Sequence, residues 1–347
     1  MRLSMNVPRF ANAEEAATWA CSMESAGLDV LWTGEAYGFD AVSMLGFLAG
    51  RTRTMQLGSA ILPVFSRSPA LTAMTAAGLD FVSSGRFILG LGASGPQVVR
   101  SWHGVPYDRP LARTRETIEV CRMVWAREKL DYQGATFQVP MAASSESVVD
   151  RPLKLINRPL RPDIPIYVAA LGPKNVALTG ELADGWLPIF FHPDKQDVWA
   201  DALAMGRAQR DPGLAPLEIV AGGPVCICDD HEAERQRDAE RPHVALYVGG
   251  MGSVGRNFYN DLFTRYGYEE EARKIQDLYL AGNREEAAAL VPAEYLRSTS
   301  MIGDEGFVRD RIEAYRAAGV TCLNIELHEG LEDAVGVVEK LLSWADE

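Results

Sequence analysis

Short apolar runs alternate with helix-patterned stretches along nearly the whole chain, roughly one pair every 25–30 residues. That rhythm suits βα units and a parallel sheet. Runs at 3–7, 30–33, 55–62, 87–91, 164–170, 185–191, 217–228 and 322–327 read as strands. Helical patterns at 14–26, 41–49, 69–82, 110–127, 174–183, 195–210, 232–248, 304–318 and 331–344 lie between them. Gly27 and Gly319 supply helix stops, and Pro69 a first-turn proline. Gly222, Gly223 and Pro224 break the seventh run. Eight strands in this order count to a TIM (β/α)8 barrel, with 1–347 as one domain; a doubly wound sheet is the alternative. Two stretches leave the rhythm and read as insertions: 130–163 after strand four, opening with a hairpin around Gly134, and 249–300 between strands seven and eight. Barrel chemistry sits at the C-terminal strand ends, which directs attention to 34–37, 60–67, 92–103, 170–174, 190–192, 222–224 and His328.

Charge narrows the class of partner. Lys and Arg number 34 against 47 Asp and Glu, a net −13 with His neutral. Such a field disfavours nucleic acid and anionic membranes, with a local basic groove as the alternative. No run of 18 apolar residues promises a membrane span, and the opening MRLSMNVPRF lacks the apolar core of a secretory signal. The five cysteines (Cys21, Cys121, Cys226, Cys228 and Cys322) are odd in number and scattered. They read as reduced core thiols of a cytoplasmic protein. Cys226 and Cys228 have one residue between them, which fits neither a CxxC redox pair nor half a zinc ribbon.

Motifs then sort the chemistry. There is no GxSxG elbow, no GxxxxGK[ST] loop and no HxH or HExxH spacing, so neither that hydrolase triad, nor a P-loop, nor a metal site is expected. Gly90-Leu-Gly-Ala-Ser-Gly95 fits GxGxxG after a strand. A dinucleotide fingerprint needs a helix opening at the glycines; here Pro96, Trp102, Gly104, Pro106 and Pro110 follow. The glycines instead suit a strand end where a ring or phosphate nears the backbone. Glu35 follows strand two and points to the mouth, as a proton-transfer group or a helix-capping acid. His103 lies beside the glycine motif, a residue type that can serve as acid, base or ring hydrogen-bond donor, or simply pack the loop. His192 and His328 follow strands six and eight, to line or to cap the mouth.

The stretch Gly85-Arg-Phe-Ile-Leu-Gly-Leu-Gly-Ala-Ser-Gly-Pro96, with Trp102-His-Gly-Val-Pro-Tyr-Asp-Arg-Pro-Leu-Ala-Arg-Thr-Arg-Glu116, resembles the bacterial-luciferase-like superfamily. Trp32-Thr-Gly-Glu-Ala-Tyr-Gly-Phe-Asp40, Leu57-Gly-Ser-Ala-Ile-Leu-Pro63 and Ala183-Asp-Gly-Trp186 match it too. The nearer resemblance is to the branch that uses the deazaflavin coenzyme F420, which includes methylenetetrahydromethanopterin reductase. It implies a TIM barrel, usually a homodimer, with the cofactor ring at the C-terminal mouth. It also implies a non-prolyl cis peptide at the end of strand three, here Ala60–Ile61, backing the ring. By position, Glu35 and Ala36 would flank the ring, and Ala93, Ser94 and Gly95 would contact the cofactor. Ala170, Leu171, Gly172 and Lys174, then Asp184 and Gly185, would approach its ribityl and phosphate groups. Arg67, Arg100, Arg109 and Arg113 join Lys174 as cations for an acidic tail. Where several relatives place a histidine after strand two, this chain has Gly34-Glu35, so Glu35 or His103 would carry the proton. The implied activity is hydride transfer between F420 and an unsaturated small molecule (C=C, C=N or iminium). An FMN-dependent monooxygenase and a non-catalytic flavin binder are the alternatives.

Overall fold

Helices start where the sequence offers a side-chain acceptor to the unpaired N–H groups of the first turn. Asn12 caps α1 (Ala13–Ser25), Asp40 caps α2 (Ala41–Arg51) and Ser68 caps α3 (Pro69–Val82). The computed structural model describes residues 1–141, 151–327 and 333–346. His328, residues 142–150 of the expected first insertion and the start of the expected closing helix lie outside the described residues.

The strands β1 (Arg2–Asn6), β2 (Val30–Thr33), β3 (Gln56–Ser59), β4 (Phe87–Gly92), β5 (Ile166–Ala169), β6 (Gly185–Trp186), β7 (Glu218–Ile227) and β8 (Cys322–Leu327) pair in parallel in that order. β8 returns to β1 through Arg2↔Cys322 and Met5↔Ile325, so the sheet closes into the barrel expected from the sequence. Residues on the outward faces pack beneath the helices, while Val30, Trp32, Ile88, Tyr167, Val220 and Cys322 fill the lumen. Small residues make that filling possible. A Cβ at Gly58 would stand 2.1 Å from the Trp32 ring, and one at Gly185 would stand 2.5 Å from Tyr167. The N-terminal end is plugged by Arg2, which donates to Glu218 at 3.0 Å and to Gln56; Tyr167 also donates to Glu218.

Several elements differ from the sequence expectation. Strand three breaks at Ala60–Ile61 and resumes as Leu62–Pro63, which pairs with β4. Strand six spans only two residues, because the chain leaves the sheet after Trp186. The expected helix at 195–210 begins as a 3-10 segment, Pro193–Trp199, with Lys195 non-helical, before α6 (Ala200–Arg207). β7 runs unbroken through Gly222, Gly223 and Pro224. The two glycines are needed because a Cβ at either would meet backbone, Asn324 O at 2.1 Å or Thr299 O at 2.4 Å. The stretch 232–248 divides into α7 (Asp230–Ala239), α8 (Arg241–Ala245) and a π-turn, Leu246–Gly250. The second insertion is helical, with α9 (Phe258–Arg265), α10 (Glu269–Leu280), α11 (Arg284–Ala289) and α12 (Ala293–Thr299). It ends in a strand the sequence did not suggest, Met301–Gly303, which pairs with the end of β7. Cys121 and Cys322 are core thiols as expected, but Cys21, Cys226 and Cys228 are only partly buried.

Candidate active site at the barrel mouth

The break in β3 shapes the floor of the mouth. Ala60–Ile61 is cis, as the resemblance implied, and Ala60 N–H donates to Thr33 O at 2.9 Å. Backbone and side chain of this break press on neighbouring strands that carry glycine where they are touched. A Cβ at Gly34 would lie 3.1 Å from Ala60 O, one at Gly92 3.0 Å from Ile61 Cγ1, and one at Gly90 1.7 Å from Ser59 O. The Ser59 hydroxyl also exchanges two 2.9 Å hydrogen bonds with the Gly90 backbone. Gly90 and Gly92 therefore answer to packing against the break. The third glycine of the motif, Gly95, faces open space, and Ser94 takes a left-handed φ of 59°. Ala93, Ser94 and Gly95 are half-buried and form one lip of the mouth.

Glu35 is the most tightly held of the expected site residues. Arg67 grips it with both terminal nitrogens, at 2.5 and 2.9 Å, and Ala41 N–H donates to it at 3.1 Å. Their side chains are only 8% and 14% exposed, so the pair is largely desolvated. That hydrogen bond to Glu35 raises the Arg67 pKa against the opposing effect of burial. Glu35 thus accepts the first N–H of α2 from the loop before it, while Ala36, next along, is exposed. His103 follows a π-turn, Val98–Trp102, and its Nε2 is buried with no hydrogen-bond partner. Tyr107, stacked on Phe65 at 5.0 Å, donates to Ser94 O at 3.4 Å; burial pushes its hydroxyl up to about 12.

A second polar region lies at the end of β5. The helix α5 (Pro173–Leu182) opens at Gly172 with no side-chain cap, and a Cβ at Gly172 would meet nothing within 4 Å. Such an end presents partial positive charge to open space. Ala170 O and Leu171 O are engaged, by Trp186 Nε1 at 2.9 Å and by Arg265 at 2.9 Å. Arg265 stacks on Trp199 at 4.4 Å, and Lys174, in the first turn of α5, is exposed. An open helix end with an arginine beside it fits a phosphate, and the small-residue floor leaves room for a flat ring.

The expected set is not all in one place. Asp184 and Gly185 stand at the other end of the barrel: Asp184 accepts from Ile166 N–H, at the start of β5, and its carbonyl accepts from Glu218 N–H, in the N-terminal plug. Gly185 is buried against Tyr167. Both residues stand at the start of strand six, and the starts of the parallel strands form the barrel bottom. Among the other cations, Arg109 donates to Ala135 O and Arg113 is sandwiched by Phe65 and Phe137, while Arg100 is exposed. His192 lies under the second insertion, 1% exposed, beside Tyr266 and Tyr295. Sequence reading missed Arg265, because α9 belongs to an insertion with no recognisable motif. It also missed Asn6 and Glu326, which the period-two alternation of β1 and β8 turns toward the lumen with Ser4 and Asn324.

The closed parallel barrel, its helical insertion before β8 and its broken third strand define a TIM-barrel protein whose mouth is floored by a non-prolyl cis peptide. Residues 2–322 match the luciferase-like monooxygenase family, and the chain belongs to that family. It is 40% identical over 312 residues to a Mycobacterium tuberculosis protein provisionally named a coenzyme F420-dependent oxidoreductase, covering 88% of this chain and 89% of that one. It is 30% identical over 304 residues to the 5,10-methylenetetrahydromethanopterin reductase of Archaeoglobus fulgidus, covering 86% and 85%. In fold it resembles the coenzyme F420-dependent tetrahydromethanopterin reductase of Methanopyrus kandleri, with a TM-score of 0.76 at 23% identity over 97% and 96% of the chains. An F420-dependent secondary alcohol dehydrogenase gives 0.74 at 18% identity over the full length of both.

Proposed function

We propose that this protein is an oxidoreductase that uses coenzyme F420 and moves a hydride between the deazaflavin and an unsaturated small organic molecule (C=C, C=N or iminium) at the barrel mouth. The 40% identity to the mycobacterial relative across 88% of the chain is the observation that carries the cofactor. When bound, the deazaflavin supplies hydride chemistry at carbon, and the protein supplies orientation and electrostatics. Ala60 and Ile61 form the floor under the ring, with Ala36, Ala93, Ser94 and Gly95 along its edges. Ala170, Leu171, Gly172 and Lys174 at the open end of α5, with Arg265, hold the phosphate. Glu35, clamped by Arg67, stays an acceptor that fixes the lip of the mouth. His103 Nε2, buried and unpartnered, holds or releases the proton that accompanies hydride transfer.

The open apolar stripe of α3 supports a homodimer. Leu71, Met74 and Phe81 share one helix face, 47%, 54% and 66% exposed. The five unpaired thiols suit a cytoplasmic setting. Titration of the purified protein with F420 and FMN side by side, followed by tryptophan quenching, tests the cofactor. Tight F420 binding with weak FMN binding is expected. The reverse order would favour the monooxygenase reading, and binding of neither would end both.

A further inference from the structure

Phe190 stands four residues beyond β6, at the mouth end of the barrel, with a left-handed φ of 56°. A bulky residue holds such a backbone only where its surroundings impose it, and strain of this kind collects at ligand sites. Here the second insertion imposes it. Tyr266, just past α9, donates its hydroxyl to Phe190 O at 3.0 Å and accepts from His192 N–H at 3.2 Å. The Phe190 ring then packs edge-on against Tyr247 of the π-turn at 5.1 Å and against Tyr259 of α9 at 5.9 Å. Those two rings lie 4.8 Å apart and nearly perpendicular. All three are half-buried. Neither the Tyr247 nor the Tyr259 hydroxyl has a hydrogen-bond partner among the described residues, and neither is sealed in the interior as the Tyr268 hydroxyl is. Their other neighbours come from around the mouth. Tyr247 is within electrostatic reach of Glu326, at the end of β8, and of Tyr37, after β2; Tyr259 is within reach of Tyr107, after β4. Burial raises both pKa values and these neighbours add to it, so both phenols stay protonated and donate at neutral pH.

Resting on the reading of the mouth as the reaction site, we infer that Phe190, Tyr247 and Tyr259 form the substrate-binding wall, and that it takes a flat, neutral carbonyl compound. The flat part of the molecule lies against Phe190, in the offset or edge-on contact that aromatic rings prefer. Its carbonyl oxygen carries two lone pairs and accepts from both open hydroxyls. Glu326 puts negative charge on the same side, which works against a carboxylate in that position. Donors at a carbonyl oxygen draw electron density out of a C=C conjugated with it. The wall therefore narrows the unsaturated substrate of the proposed reaction to one whose double bond is conjugated with a carbonyl.

Benzylideneacetone, trans-β-methylstyrene and cinnamate share a styryl frame and end in a ketone, a methyl group and a carboxylate. Their binding, measured by ligand-observed NMR at pH 7.5 with oxidised F420 present, tests the wall without turnover. The ketone should bind about three- to tenfold more tightly than either of the others. Tyr247→Phe and Tyr259→Phe, which keep the rings, should each remove much of that preference and leave β-methylstyrene binding unchanged. Phe190→Gly, whose backbone suits a φ of 56°, should weaken all three probes with an unchanged circular dichroism spectrum. Equal binding of ketone and hydrocarbon, a Tyr247→Phe or Tyr259→Phe protein that binds the ketone like the parent, or no binding by any probe would overturn the wall. F420 titration of the same proteins separates the two readings: no ketone preference with intact F420 binding defeats the wall alone, and absent F420 binding with the preference intact defeats the cofactor proposal alone.

Discussion

Acid should unfold this protein through His192. Its imidazole is 1% exposed, packed 5.4 Å from the Tyr266 ring and 5.9 Å from Tyr295, with neither nitrogen hydrogen-bonded. Burial lowers its pKa to about 4, outweighing the attraction of Asp194, and Lys195 and Arg311 push the same way as burial. In the unfolded chain a histidine titrates near 6.5. Between those values the unfolded state binds a proton the folded state refuses, so stability is full above about pH 6.5 and falls as pH drops toward 4. A separation of roughly 2.5 units is worth about 3 kcal/mol, a large part of a typical 5–15 kcal/mol stability. Urea unfolding at pH 7.5, 6.0 and 5.0 measures it. His192→Leu keeps the volume, removes both unpaired nitrogens and should flatten this part of the profile. The His192 backbone N–H, which donates to Tyr266 Oη at 3.2 Å, is untouched by the change. Identical slopes in the two proteins would refute the reasoning, as would a resonance that titrates near 6.5 in the folded parent and is missing from the His192→Leu variant.

Three further outcomes follow from the packing. Arg67→Met strands the Glu35 carboxylate in a site where its side chain is 8% exposed, so unfolding free energy should drop by about 3 kcal/mol. The Glu35→Gln/Arg67→Met double variant should recover at least half of that, and strict additivity in urea titrations would count against a coupled pair. Phe81→Glu on the α3 stripe should convert a dimer to monomer in light scattering while leaving the circular dichroism spectrum intact; a monomeric parent would remove that stripe as an interface. Gly90→Ala places a methyl 1.7 Å from Ser59 O and should cost more than about 3 kcal/mol or abolish soluble expression, whereas Gly95→Ala, in open space, should change the melting temperature little.

The barrel was legible because its signal is local. Strands such as Val30–Thr33 and helices such as Pro69–Val82 sit where apolar runs, caps and first-turn prolines put them. The break at Ala60–Ile61 has no local signature; it came only through resemblance. Gly222 and Gly223 looked like strand breakers because a sequence shows the missing side chain and not the neighbouring backbone that requires it to be missing. Asp184 was placed at the cofactor by resemblance, although it stands immediately before the sixth strand, Gly185–Trp186, and the start of a parallel barrel strand lies at the bottom of the barrel. Arg265 reaches Leu171 across 94 positions of sequence, a contact set by how the insertion folds back. Asn6 and Glu326 were visible in the alternation of their strands, once the two strands are known to be neighbours.

Barrel closure also sets a timetable. β1 finds one neighbour, β2, within about thirty residues, but its other edge waits for β8, whose Cys322 pairs with Arg2. At a synthesis rate of roughly 5–20 residues per second, the first strand of a nascent chain is made about 15–60 seconds before its last partner. For that interval its outer edge is an open template for any passing strand. Shielding the early βα units during translation is therefore as much a requirement of this fold as the lumen packing that holds it once closed.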